Sequence, residues 1–109
     1  MARRGIEPES KVLCRRWVHS HEEDTAGEMV FRPADYVFPL SRGRFAFELR
    51  EDGSAITSEP GAADRPRAAK GRWSLKDVEL CLTAQAAAKE RRFEIVSATR
   101  ERLVVRRRR

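Results

Sequence analysis

Apolar and polar residues alternate with a period of two in several stretches of this chain, and turn-forming residues separate them. The run from Gly43 to Arg50 is the most regular: Phe45, Phe47 and Leu49 fall on one side, Arg44, Glu48 and Arg50 on the other. Successive side chains of an extended backbone point to opposite sides, so this run predicts a strand with one buried and one solvated face. The same reasoning predicts strands over Cys14–Glu23, Glu28–Arg32, Ser54–Ser58, Lys70–Leu75, Glu79–Gln85, Arg91–Thr99 and Arg102–Arg106. Helix competes at the start of the first one, where Val12-Leu13 and Arg15-Arg16 permit one turn.

The connections carry their own signals. Thr25-Ala26-Gly27 and Lys76-Asp77-Val78 read as turns, and Glu51-Asp52-Gly53 as a hairpin whose Gly accepts a positive φ. Glu59–Ala69, with Pro60, Gly61 and Pro66, reads as the longest loop, and Ala86–Glu90 as a long hairpin loop too short to sustain a helix. Ala34–Arg42 reads as an irregular segment whose Tyr36, Val37, Phe38 and Leu40 plug one end of the core. About eight strands joined by short connections predict an all-β fold: an antiparallel up-and-down meander closed into a small barrel. Closure also removes edges that would invite aggregation.

With 109 residues the chain makes one domain. Residues 1–10 read as a flexible lead, 11–105 as the barrel and 106–109 as a basic tail. Net charge is +6, but six Arg and only one Glu fall in residues 100–109. The preceding 99 residues carry 17 basic and 16 acidic side chains, so the body is nearly neutral. A near-neutral body argues against a dedicated nucleic-acid binder, which carries its basic stripe on the folded surface. No apolar run approaches the ~20 residues of a membrane span. Met1-Ala2-Arg3-Arg4-Gly5 precedes no apolar stretch, so no secretory signal is read and a cytoplasmic protein is expected. Abundant Arg and Ala with only four Lys suggest a GC-rich bacterial source. The two cysteines, Cys14 and Cys81, make no disulfide framework and no CxxC pair; both read as small, at least partly buried hydrophobes. Nothing in the sequence predicts a cofactor.

Trp17 in the first strand, the Gly71-Arg72-Trp73-Ser74-Leu75 strand with Glu79-Leu80-Cys81-Leu82 after it, and the closing pair Phe93-Glu94-Ile95-Val96 and Arg102-Leu103-Val104-Val105 resemble a reduced lipocalin-like (calycin) barrel over roughly residues 11–106. Arg15 stands where lipocalins place a Gly two residues before that Trp. Val18–Arg44 is also similar to a group of uncharacterised bacterial proteins. The resemblance implies binding of a small apolar ligand. Trp17, Phe45, Phe47 and Trp73 would then form the apolar wall, with Arg42 or Arg44 at the mouth to meet an anionic group.

Two further chemistries are open at this level. On a strand, His19 and His21 share a face with Glu23, so the three together suggest a metal site and a metal-dependent enzyme. The terminal Arg run suggests a nucleic-acid accessory role through phosphate contacts. No G-x-S-x-G motif and no Cys beside a base in sequence support covalent catalysis. The leading expectation is a non-enzymatic barrel that binds a small apolar or anionic ligand, or a protein partner.

Overall fold

A computed structural model describes residues 10–41, 43–60, 66–84 and 89–108. Eight strands dominate: β1 Arg16–His19, β2 Met29–Pro33, β3 Ala46–Leu49, β4 Ser54–Pro60, β5 Pro66–Lys76, β6 Glu79–Ala84, β7 Lys89–Ala98 and β8 Leu103–Arg108. One short helix, α1 (Ser10–Leu13), precedes them, and a 3₁₀ turn spans His21–Glu23. Every strand pair is antiparallel, and the sheet closes in the order β1-β2-β8-β7-β6-β5-β4-β3. The all-β, eight-stranded barrel expected from the alternation is therefore the fold. Among the described residues no helix is long and apolar enough to cross a membrane.

The order departs from a pure meander at one place. β3 through β8 follow the sequence around the barrel, but β1 lies between β2 and β3. Both neighbours run antiparallel to β1, so β2 and β3 point the same way. The chain after Pro33 must therefore travel back along the barrel before β3 can begin. Ala34–Phe45 makes that crossing, which explains why this connection is long and rich in aromatics. Those aromatics do not plug the core as the sequence suggested. Tyr36 and Phe38 meet edge to face at 4.8 Å, Arg32 lies over Tyr36 and Arg44 over Phe38, and Val37 and Leu40 are exposed.

Leu13 closes the barrel end at which β1 begins. It is fully buried in the core cluster, and its carbonyl accepts a hydrogen bond from Trp17 Nε1–H at 3.1 Å. The helical alternative at the start of the chain is thus the one realised, and β1 is only four residues long. At its far end the strand stops because Ser20 turns inward. The buried Ser20 hydroxyl donates to Glu23 at 2.7 Å and its carbonyl accepts from Glu23 N–H. Such local side-chain bonds compete with the ladder and favour a turn.

Three other boundaries shift outward. β4 and β5 pair as far as Pro60 opposite Pro66, so much of the expected Glu59–Ala69 loop is strand. Proline is tolerated there because both lie at strand ends. Lys89 and Glu90 likewise begin β7. Arg106–Arg108, read from the sequence as a tail, extend β8 and pair with Glu94, Phe93 and Arg92. Pairing with the long β7 gives the Arg run backbone partners, and alternation sends the side chains of Arg106 and Arg107 to opposite faces. Residues 1–9, the rest of the expected N-terminal lead, lie outside the described residues.

Ladder partners share a face, so the register identifies the inward set. Trp17 pairs with Phe47, Phe31 with Leu103, Leu49 with Ala55, Leu80 with Phe93 and Ile95 with Val105. All of them belong to one buried cluster. An irregularity between Ile95 and Ser97 lets β7 keep this register while Val96 faces solvent.

Candidate functional site

The most heteroatom-rich segment of the sequence is consumed by internal structure. Arg44 is 9% exposed along its side chain. Its Nη1 donates to the His19 carbonyl at 3.0 Å and to Glu22 Oε1 at 2.9 Å, its Nη2 to Glu22 Oε2 at 2.6 Å and the Pro39 carbonyl at 2.8 Å. Arg32 forks onto Glu23 at 2.8 and 2.7 Å and reaches the Glu101 carbonyl at 3.0 Å. These two Arg–Glu pairs, with the rings of Tyr36 and Phe38 beneath the guanidinium groups, pin the crossing segment to the 3₁₀ turn.

The two His rings lie 6.0 Å apart between centres but engage separate partners. His19 is the last residue of β1, whereas His21 has already entered the 3₁₀ turn, so the common strand face expected for them does not exist. His19 Nε2 sits 2.9 Å from Asp24 and His21 Nε2 3.1 Å from Ser41 Oγ. Glu23 is held by Arg32 and Ser20. Among the described residues no group of three or more His, Cys, Asp and Glu could hold a metal ion.

The Arg pairs leave a pH signature. Arg44 hydrogen bonding holds the Glu22 carboxyl at about 2, and Arg32 hydrogen bonding, with Ser20 adding to it, holds Glu23 at about 2 as well. A lowered folded-state pKa stabilises the fold above the ordinary carboxylate range, and that contribution is lost as pH falls toward the folded value. Stability should therefore decline between about pH 4.5 and about pH 2. Urea unfolding at several pH values should show a shallower decline in a Glu22→Gln/Glu23→Gln double variant; an identical decline would assign the acid sensitivity elsewhere.

The expected apolar wall divides between core and surface. Trp17 and Phe47 expose none of their area, nor do Phe31, Leu80 and Leu103. No water-sized space adjoins such side chains, so the barrel is filled at their level. Trp73 sits at the closed end, where its indole N–H donates to the Arg50 carbonyl at 2.7 Å and its amide to Gly53 at 3.0 Å. Of the four, only Phe45 stands at the opposite end. It is half-buried, 6.0 Å from Phe47 and 6.1 Å from Phe31 between ring centres. Arg42 lies outside the described residues.

Sequence reasoning missed what surrounds Phe45. Arg91, near the start of β7, lies on the inward face with Phe93 and Ile95, and its guanidinium stands 4.7 Å from the centre of the Phe45 ring. Glu59, near the end of β4, lies on the face of Ala55 and Thr57 and forms an ion pair with Arg91. β4 and β7 are not ladder neighbours, so the pair spans the barrel mouth. The signal was present: the apolar alternation of Ile95 and Phe93 in β7 runs on into Arg91 at the same parity. It was overlooked because a charge at a strand end reads as solvated surface.

The thiols offer no competing nucleophile. Burial, with Glu51 nearby, raises the Cys14 pKa. Burial also raises that of Cys81, whose Sγ donates to Glu90 at 2.8 Å. Both shifts run away from the thiolate, the form that attacks as a nucleophile. Compared with protein-family models, with curated proteins and with solved structures, the chain matches none.

Proposed function

We propose that this chain is a lipocalin-like barrel, working in a bacterial cytoplasm, that holds a small amphipathic anion at the mouth formed by Phe45, Glu59 and Arg91. The apolar part rests on the Phe45 ring and the anion on the Arg91 guanidinium. One observation carries this reading: a guanidinium next to the apolar Phe93 and Ile95 on the inward side of β7 stands over a half-buried aromatic ring and pairs with a carboxylate from across the barrel. The pair lies at the solvent-facing mouth, where Arg91 and Glu59 keep 31% and 47% of their side-chain surface exposed and stay open to an incoming anion. Sealing by Leu13 at one end and a charged rim at the other also fit a lipocalin-like binder. The filled interior favours a shallow ligand, about one ring in size, over a long chain. Val37 and Leu40, fully exposed on a segment pinned at both Arg–Glu pairs, favour a second reading in which a protein partner docks.

Isothermal titration with phenylacetate tests the first reading. Arg91→Gln should weaken binding roughly tenfold or more, the scale of a lost charge-assisted hydrogen bond. Phe45→Ala should weaken it too. Equal affinity in wild type and Arg91→Gln would contradict the proposed site.

A further inference from the structure

We infer that Arg107 supplies a second prong to this mouth and that the anion it selects is a phosphomonoester on a flat apolar group, an inference that rests on the binding mode proposed above. β8 continues through Arg108, so the strand parity that buries Leu103 and Val105 places Arg107 on the inward face. The register agrees: Arg107 pairs with Phe93, which is buried in the core cluster. Arg91 precedes Phe93 by two residues on that face. Arg91 and Arg107 are thus diagonal neighbours on paired strands, about 7–8 Å apart at the backbone. Two long guanidinium side chains at that spacing can meet on one tetrahedral anion.

Charge balance selects the ligand. Neighbouring Arg side chains are matched: Arg91 with Glu59, Arg92 with Glu90 and Arg106 with Glu28. Among the described residues Arg107 has no hydrogen-bond or ion-pair partner. Arg91 and Glu59 cancel each other, which leaves Arg107 as an unmatched positive charge on the inward side of β8. A monocarboxylate has to share Arg91 with Glu59 and leaves Arg107 unmatched. A phosphomonoester carries about −1.5 to −2 at pH 7 and three acceptor oxygens, so it meets Arg107 and shares Arg91 at once. Guanidinium forks suit that geometry better than a point charge does.

Competing titrations with benzyl phosphate, phenylacetate and inorganic phosphate decide this. Wild type should bind benzyl phosphate at least tenfold more tightly than phenylacetate, and inorganic phosphate more weakly than benzyl phosphate because it lacks the ring. Arg107→Gln should bring the benzyl phosphate affinity down to that of phenylacetate, and Arg107→Lys should restore only part of the preference. Arg106→Gln, on the outward face of the same strand, should keep the full preference and a wild-type fold by circular dichroism. Equal affinities for the two benzyl ligands in wild type, or a preference that survives Arg107→Gln, would overturn the role of Arg107 and leave the Phe45–Arg91 site standing. No binding of either benzyl ligand would overturn both.

Discussion

Phe47→Ala should destabilise the protein by about 3–5 kcal/mol, whereas Glu48→Ala, one residue on, should cost less than about 0.5 kcal/mol. Phe47 exposes none of its surface, pairs with Trp17 and Thr57 on its two sides and lies 5.0 Å from the Phe31 ring. Truncation leaves a cavity where β1, β2 and β3 meet, and the closed barrel limits how far its walls can relax. Glu48 faces outward and touches Arg50 at 3.1 Å, an exposed pair of small value. A small domain holds about 5–15 kcal/mol in total, so the first substitution removes a large share of it. Urea unfolding of both variants reads the contrast directly. A larger loss for Glu48→Ala would mean that β3 presents the opposite face to the core.

Leu13→Ala should cost about 2–5 kcal/mol, and Lys11→Ala, two residues earlier and exposed, less than about 0.5 kcal/mol. Four residues cannot hold a helix by backbone bonds alone. α1 therefore exists because Leu13 is buried beneath the barrel and Trp17 is tied to the Leu13 carbonyl. Removing the leucyl side chain opens that end of the core to water. Equilibrium unfolding should show the loss as a lower midpoint with an unchanged slope. A cost under 1 kcal/mol would mean that α1 is decoration and something else seals the barrel.

The barrel was legible because its inward positions are apolar at strict parity, most clearly at Phe45-Phe47-Leu49 and Leu80-Leu82. What escaped the sequence depends on contacts between distant residues. Nothing local distinguishes β1 beside β2 alone from β1 between β2 and β3; that order shows only in the long-range Trp17–Phe47 ladder and in the Arg32–Glu23 and Arg44–Glu22 pairs that fasten the crossing segment. No local signal showed that Arg44 pairs with Glu22, because Glu22 comes from a turn that the alternation of His19 and His21 disguised as strand. Arg107 was misplaced because a block of like charges ordinarily stays solvated. Here β7 is long enough to pair with it. Of Trp17, Phe45, Phe47 and Trp73, Phe45 alone stands at the mouth, and Arg91 and Glu59 join it only through closure of the barrel.

The central claim is that the ligand sits on Phe45 between Glu59 and Arg91. Amide chemical-shift mapping of the full chain, titrated with phenylacetate, tests it most directly. The account predicts saturable shifts concentrated at Phe45, Glu59 and Arg91, with the Trp73 indole at the closed end unmoved. Shifts centred instead on His21, Ser41 and Arg44, or none at millimolar ligand, would contradict it.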